Sequence, residues 1–361
     1  MTRPARVVIN LAALGHNINR VRQIAPRSKV MAIVKADAYG HGITRVAKTL
    51  STADAFGVAC LEEARELRTA GINHPVVLLE GPYSPGELAE IEQLNLDIVV
   101  HDQSQVKMLE AVKLASPVKV WLKIDSGMHR LGFLPECVSE MWERLSSCAS
   151  VAEDIHLMTH LASASERDDP MTNIQLQTFE KLAGQFRGGC SIANSAGVIA
   201  FPSSHADWVR PGLMLYGVSP MSDTTSSDEG LVPVMTLESQ LIAVKNLCAN
   251  DPVGYGATWR CPEDMPVGVV AAGYGDGYPR HAPSGTPVLV NGKRVTLIGR
   301  ASMDMLIVDL RTQPHAKVGD PVILWGEGLP LEEVAKHAGT IPYELLCGVH
   351  KRLRFVEYGQ D

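Results

Sequence analysis

From residue 29 onward, short runs of β-branched and apolar residues recur, each followed by a stretch with helical spacing. The runs are KVMAIVKA (29–36), AFGVA (55–59), PVVLLEG (75–81), DIVVH (97–101), VKVWLKID (118–125), DIHLMTHLA (154–162), CSIANS (190–195) and the apolar run near WVRPGLMLYG (208–217). Between them, segments such as LEEARELRTAG and DQSQVKMLEAVK place apolar residues at helical spacing behind acidic or Asp/Ser starts, the signature of crossover helices. Strands apolar on both faces and joined by helices predict a parallel sheet. Eight such units closing on themselves make a (β/α)8 barrel; a doubly wound open sheet is the alternative, which eight units in succession disfavour.

The pattern changes after Tyr216. MSDTTSSDEG (221–230) is polar enough to be a linker, and beyond it VGVVAAG, TPVLVNGKRVTLIG, DMLIVDL and DPVILWG all read as strands. Asn291-Gly292 between alternating runs predicts a hairpin, and LEEVAKHAG (331–339) is the one segment there that reads as a helix. The expected architecture is an N-terminal (β/α)8 barrel over residues 1–220 followed by a mostly β C-terminal domain over 221–361. The run VVIN (7–10) could pair with either.

Composition narrows the function. With 33 Lys and Arg against 40 Asp and Glu among 361 residues, the net charge is -7, which gives no electrostatic case for nucleic acid or acidic membranes as partners. Apolar runs are too short to span a bilayer, and the N-terminal run Val7-Val8-Ile9 is broken at Asn10 before it could form a signal-peptide core; the expected location is the cytoplasm. Seven cysteines without a CxxC pair fit free thiols rather than disulfides or structural zinc, so no metal is expected. GYGDG (273–277) follows a strand, but Tyr278-Pro279-Arg280 follow it instead of a helix, which argues against a dinucleotide fingerprint.

Lys35 ends the first barrel strand, after Met31-Ala32-Ile33-Val34 and before Asp37-Ala38-Tyr39-Gly40-His41-Gly42. The C-terminal strand ends of such barrels line the active site, where a lysine against apolar walls loses hydration and can serve as a nucleophilic amine for a Schiff base. VKADAYGHG (34–42) resembles the pyridoxal-phosphate attachment motif of the alanine racemases, enzymes of the barrel type, fold type III. LKIDSGMHRLGF (122–133), MTHLASA (158–164), ANSAG (193–197), RPGLMLYG (210–217), GYGATW (254–259), GYGDGYPR (273–280), GRASMDM (299–305) and IPYELLC (341–347) also resemble that family's motifs, in order, over about residues 4–358.

The resemblance implies a racemase of L- and D-alanine with pyridoxal 5'-phosphate as cofactor, working as a homodimer. Lys35 would carry the cofactor and act as one base, and Tyr255, supplied by the partner subunit, as the other. Phenols ordinarily titrate near about 10, so Tyr255 needs help. The family's pattern supplies it through His160 and Arg210, the latter at the ring nitrogen of the cofactor. An arginine there does not readily give up a proton, which leaves the ring a weaker electron sink and disfavours side reactions such as transamination. The phosphate would be held by the hydroxyls of Tyr39, Ser195 and Tyr343 and by amides of Ser195, Gly212 and Leu213, beside Asn194. Arg130 and the amide of a partner Met303 would take the substrate carboxylate, Lys123 would carry a carbamate, and Tyr274, Tyr278 and Arg280 would line the entrance. Leu161, Gly275 and Ser302 stand where Phe, Ala and Cys are common in the family, which leaves tolerance of serine or larger side chains open. The competing readings are a broader or serine-leaning racemase, a non-catalytic pyridoxal-phosphate carrier, against which the second domain argues, and a fold-related decarboxylase, against which Arg210 argues.

Overall fold

The computed structural model describes residues 3–359, which form two compact units. In one, eight parallel strands close into a barrel in chain order: Lys29–Ile33, Ala55–Val58, Val76–Leu78, Asp97–Val100, Val120–Lys123, His156–Met158, Cys190–Asn194 and Trp208–Arg210. The closing seam pairs Lys29 with Trp208 and Val30 with Val209. Every apolar run read as a barrel strand therefore is one. Their residues are buried because the barrel's packed interior takes one face and the surrounding helices the other. The helix Leu61–Thr69 buries Leu61, Ala64 and Leu67 and turns its charges outward, and Asp102 caps Gln103–Ala111 by accepting the Ser104 amide at 2.8 Å.

The other unit is built on the thirteen-residue strand Met235–Leu247. Its first half lies in a sheet ordered Lys293–Thr296, Pro287–Val290, Pro321–Trp325, Met235–Leu247, Arg6–Asn10, Arg354–Tyr358; its second half pairs with Met265–Val270, which pairs with Leu306–Asp309. A bulge between Leu241 and Ala243 lies within the second pairing. A satellite core of Val253, Cys261, Met265, Val267 and Ile298 lies under the second half. Asn291 and Gly292 both take positive φ, 51° and 71°, and join antiparallel strands as the dipeptide predicts.

The structure resolves one point the sequence left open and departs from the reading at two others. VVIN belongs to the β unit, between Met235–Leu247 and Arg354–Tyr358, because Val7 and Ile9 need an apolar face and both are fully buried there. The chain consequently does not divide once at 220: residues up to Leu14 and Tyr216–Val218 join the β unit, Ser219–Thr224 stay with the barrel, and the final passage falls at Thr224/Thr225. A second helix, Pro342–Cys347, follows Leu331–Ala338, started by a proline at its first position.

Gly217 sits at the return into the β unit with φ of +75°, and a Cβ there would lie 1.8 Å from the Val232 carbonyl oxygen. Left-handed backbone and a backbone clash combine, so Gly217→Ala is expected to lower unfolding stability by about 3 kcal/mol. Urea denaturation followed by circular dichroism measures this; a change below about 1 kcal/mol would contradict the packing described.

Candidate active site

The strand carrying Lys35 ends in an unusual turn. Ala36, Asp37, Ala38 and Tyr39 all have left-handed backbone, with φ of 52–55° and ψ of 43–51°. For L side chains this costs roughly 1–2 kcal/mol per residue, on the order of 4–8 kcal/mol across the turn, so its surroundings must hold it. Asp37 Oδ1 accepts the Ile43 amide at 2.8 Å. His41 Nδ1 lies 3.0 Å and 2.9 Å from the carbonyl oxygens of Ala38 and Tyr39; two acceptors on one ring nitrogen assign the proton to Nδ1. Burial lowers the His41 pKa to about 4, so the ring is neutral and acts as a fixed brace. The turn leaves Lys35 half-buried and Tyr39 buried. The Tyr39 hydroxyl points at Gly212, where a Cβ would come within 2.5 Å of it. Glycine is required for that approach.

Gly212 donates its amide to Ser195 Oγ at 2.8 Å, Met214 approaches the same oxygen at 3.4 Å, and Leu213 follows Gly212 directly. Asn194 caps the helix Ser195–Ala200 through the Gly197 amide at 3.0 Å and donates to the Leu161 carbonyl at 3.2 Å. Tyr39, Asn194, Ser195, Gly212 and Leu213 thus form one small, donor-rich rim segment, suited to a phosphate.

Beside it lies a group of cations. Arg210 is buried, with Nη1 2.6 Å from Ser191 Oγ and Nη2 donating to the Thr159 carbonyl and, at 3.3 Å, to that of Ile192. Burial lowers its pKa to about 10, which still leaves it charged at neutral pH. Its Nη2 is 3.5 Å from His160 Nδ1. Guanidinium can only donate, so His160 Nδ1 must be the acceptor and its ring N–H lies at Nε2. Burial first, then the charges of Arg210, Lys123, Arg130 and Lys35, hold the His160 pKa well below the usual range. Burial and the charges of Arg210, Arg130 and Lys35 lower Lys123 to about 8, with Glu80 pulling the other way. Arg130 itself is exposed, following a loop that Asp125 Oδ1 pins through the amides of Gly127 and His129, both at 3.0 Å. The expected barrel residues are therefore gathered at one rim, and the group suits an anion.

In the β unit, Tyr255 occupies an exposed turn and is 67% accessible. Gly254 and Gly256 on either side pack near Arg300, and Met303 lies three residues further along that segment, also exposed. The Tyr274 and Gly275 amides donate to the Ser302 and Met303 carbonyls at 3.0 Å and 2.9 Å, so the GYGDG turn and the Met303 turn lie back to back. Tyr274 is exposed, with the Arg280 guanidinium 5.8 Å from its ring centroid. Tyr343, in the helix Pro342–Cys347, is also exposed. Tyr278 corrects the expectation of an entrance residue: it is 1% exposed and stacks on Trp325 at 5.9 Å. Its ring is core, and burial pushes its phenol pKa up.

Sequence reasoning missed the residues that hold these turns. Asp276 is fully buried; it accepts from Arg3, from Arg352 at 2.8 Å and from the Gly273 amide at 2.9 Å. Burial raises its pKa, but Arg3, Arg352 and that amide outweigh it and hold the carboxyl below its ordinary range. Ser191 and Thr159, which orient Arg210, were missed too. The available signal was an acidic residue inside a glycine-rich turn, which local spacing does not connect to arginines at both ends of the chain.

A closed barrel with an anion-ready rim, joined to a separate β unit, defines a two-domain barrel enzyme. Residues 9–220 match the N-terminal domain of alanine racemase and residues 234–357 its C-terminal domain. Alanine racemases of Nitrosococcus oceani and Halorhodospira halophila are 58% and 53% identical over 96% and 98% of this chain, and 98% of each relative. The crystal structure of the biosynthetic alanine racemase from Pseudomonas aeruginosa is similar with a TM-score of 0.97 and 46% identity, covering 99% of this chain and 100% of that one; the structure of alanine racemase from Acinetobacter baumannii has 0.93 and 39%, over 99% and 100%. The chain belongs to the alanine racemase family, whose members depend on pyridoxal 5'-phosphate.

The lowered Lys123 pKa makes a signed prediction. Native protein releases this proton near about 8 and unfolded protein near 10.5, so the burial penalty is complete below about 8 and fades as pH rises to 10.5. In carbon dioxide-free buffer Lys123→Met should stabilise the fold by on the order of 3 kcal/mol at pH 7, with the gain shrinking to nothing above about pH 10.5. Denaturant titrations across that range check it; a gain independent of pH would contradict it.

Proposed function

We propose that this chain racemises L- and D-alanine by a two-base mechanism, with Lys35 and Tyr255 as the bases on opposite faces of the substrate. The observation that carries this reading is the rim that joins Lys35 to a donor-rich segment at Tyr39, Ser195 and Gly212 and to a cationic group. Tyr39, Asn194, Ser195, Gly212, Leu213 and Tyr343 would hold pyridoxal 5'-phosphate, and the clearance that Gly212 leaves for the Tyr39 hydroxyl suits that group. When bound, the cofactor supplies an electron sink that acidifies the substrate α-hydrogen. The protein's own residues do the rest. Lys35 holds or accepts a proton on one face and Tyr255 on the other. Arg130 and the amide of the partner's Met303 would orient the carboxylate. Arg210, charged and donating only, would meet the ring nitrogen of the cofactor and leave it without a proton. His160, kept neutral by burial and neighbouring cations, would offer its Nε2–H as a donor to the phenol oxygen of the partner's Tyr255, favouring the oxyanion that acts as base.

Lys123 is the candidate for a carbamate. A pKa near about 8 leaves roughly a tenth of the amine neutral at pH 7 and available to carbon dioxide, and the carbamate would replace one of several repelling cations by an anion. Tyr274 and Arg280 would border the substrate entrance. The protein would act as a cytoplasmic homodimer, since Tyr255, Tyr274, Met303, Met305, Ile341 and Tyr343 are large apolar or aromatic side chains left exposed on the β unit, the kind of surface that a partner covers. The likeness to a biosynthetic relative supports D-alanine supply for peptidoglycan as its role.

Borohydride reduction of the yellow protein should fix the cofactor on Lys35; an adduct mapped to another lysine would refute the assignment. Mixing inactive Lys35→Ala with inactive Tyr255→Phe should restore about one quarter of wild-type activity, because half the dimers are hybrids and each hybrid has one intact site. No recovery after verified subunit exchange would exclude the shared site.

A further inference from the structure

The strained turn after Lys35 is held by a residue from the helix that follows the second barrel strand. Glu63 lies in the first turn of Leu61–Thr69, where the helix end favours a negative charge. Its two carboxylate oxygens go to different strand ends: Oε1 accepts the Ala36 amide at 2.6 Å and Oε2 the Ala59 amide at 2.8 Å. Ala36 is the first left-handed residue and directly follows Lys35. Ala59 follows Ala55–Val58, the strand adjacent to Lys29–Ile33 in the barrel. One carboxylate thus ties two neighbouring strand ends together at the point where the backbone changes hand.

We propose that Glu63 is a positioning residue for the cofactor-carrying lysine, acting as a two-pronged acceptor that keeps the chain left-handed after Lys35. Four residues of left-handed backbone separate Lys35 from the end of the turn at Tyr39, so their φ and ψ fix where the amine and the phenol lie relative to each other and to Gly212. This rests on the reading that Lys35 and Tyr39 hold the cofactor. A carboxylate is needed rather than an amide: glutamine presents an N–H at one end of its fork, and whichever way it flips, that N–H faces the amide of Ala36 or of Ala59. The strain also supplies its own relief. Ala36 is exposed with φ of 55°, a conformation glycine adopts freely.

The test compares the holoenzyme with Glu63→Gln, with Glu63→Gln/Ala36→Gly, and with Glu62→Gln, an exposed carboxylate of the same helical turn. Hydrogen exchange and the affinity for added pyridoxal phosphate after its removal, followed by absorbance, are the readouts. Glu63→Gln should speed exchange of the amides around 36–41 and weaken cofactor binding by about tenfold to a hundredfold, as expected for losing a hydrogen bond to a charged acceptor. Exchange elsewhere in the barrel should stay at the wild-type level. The double variant should recover much of the affinity, and Glu62→Gln should match wild type. The proposal is overturned if Glu63→Gln behaves like Glu62→Gln, if faster exchange spreads over the whole barrel, if the turn loosens while cofactor affinity is unchanged, or if Ala36→Gly restores nothing. Fixation of the cofactor on a lysine other than Lys35 would instead refute the underlying reading of the site, whatever Glu63→Gln does to exchange at the turn.

Discussion

Burial of several cations close together at the C-terminal rim of the barrel is the constraint around which this site is arranged. Lys35, Lys123, Arg130 and Arg210 all act on His160, and Lys123 feels the other three. A lowered Lys123, a neutral His160 and an Arg210 held by neutral oxygen acceptors and the His160 ring nitrogen share one cause: positive charge taken partly out of water, which Glu80 offsets only in part at Lys123. Such a rim is stabilised by whatever anion enters it, which suits phosphate, a substrate carboxylate and a carbamate. Burial, with the same charge added to it, keeps His160 neutral, which in the proposed mechanism would leave proton transfer to Lys35 and a phenol from the partner.

The two units contribute different things. The barrel supplies rigidity, since strand ends in a closed sheet cannot drift apart, and stores strain in the left-handed turn after Lys35. The β unit supplies reach. It presents Tyr255 and Met303 on exposed turns rather than burying them, while Asp276, braced by Arg3 and Arg352, ties down the adjoining GYGDG turn. A base carried on a projecting turn would be useful only if something closed over it, which is the physical argument for the proposed sharing of the site between two copies.

How much of this was legible in the sequence follows from the range of each interaction. The barrel strands were legible because each is an apolar run bounded by a helix with its own periodicity, and the Asn291-Gly292 hairpin because both residues tolerate positive φ. The strand Met235–Leu247 was not, since Glu238, Gln240, Ala243 and Lys245 dilute its alternation with helix-forming types. Arg6–Asn10 could not be placed because its partners lie more than two hundred residues away. Tyr278 was misread from its motif neighbours, although its ring serves to pack Trp325. The residues matching family motifs were found, whereas Glu63, Ser191, Thr159 and Asp276, which hold them in place, were invisible: each acts through a hydrogen bond to backbone or to a distant arginine, and no spacing announces such a bond.

The central claim is that two bases, each confined to one face of the substrate, share the work. Enantiomers have equal free energies, so any variant must have equal kcat/KM in both directions and steady-state rates cannot distinguish the bases. Proton exchange can. The decisive measurement is α-deuterium uptake in heavy water from each enantiomer of alanine by Tyr255→Phe, read by mass spectrometry with cofactor occupancy confirmed by absorbance. The resemblance to the alanine racemases implies that Lys35 serves the D-enantiomer and Tyr255 the L-enantiomer, so D-alanine should still exchange with retention while L-alanine exchanges about 10² to 10⁴ times more slowly, the usual contribution of a positioned general base. Equal residual exchange from both enantiomers would contradict it and point to a single base or to water.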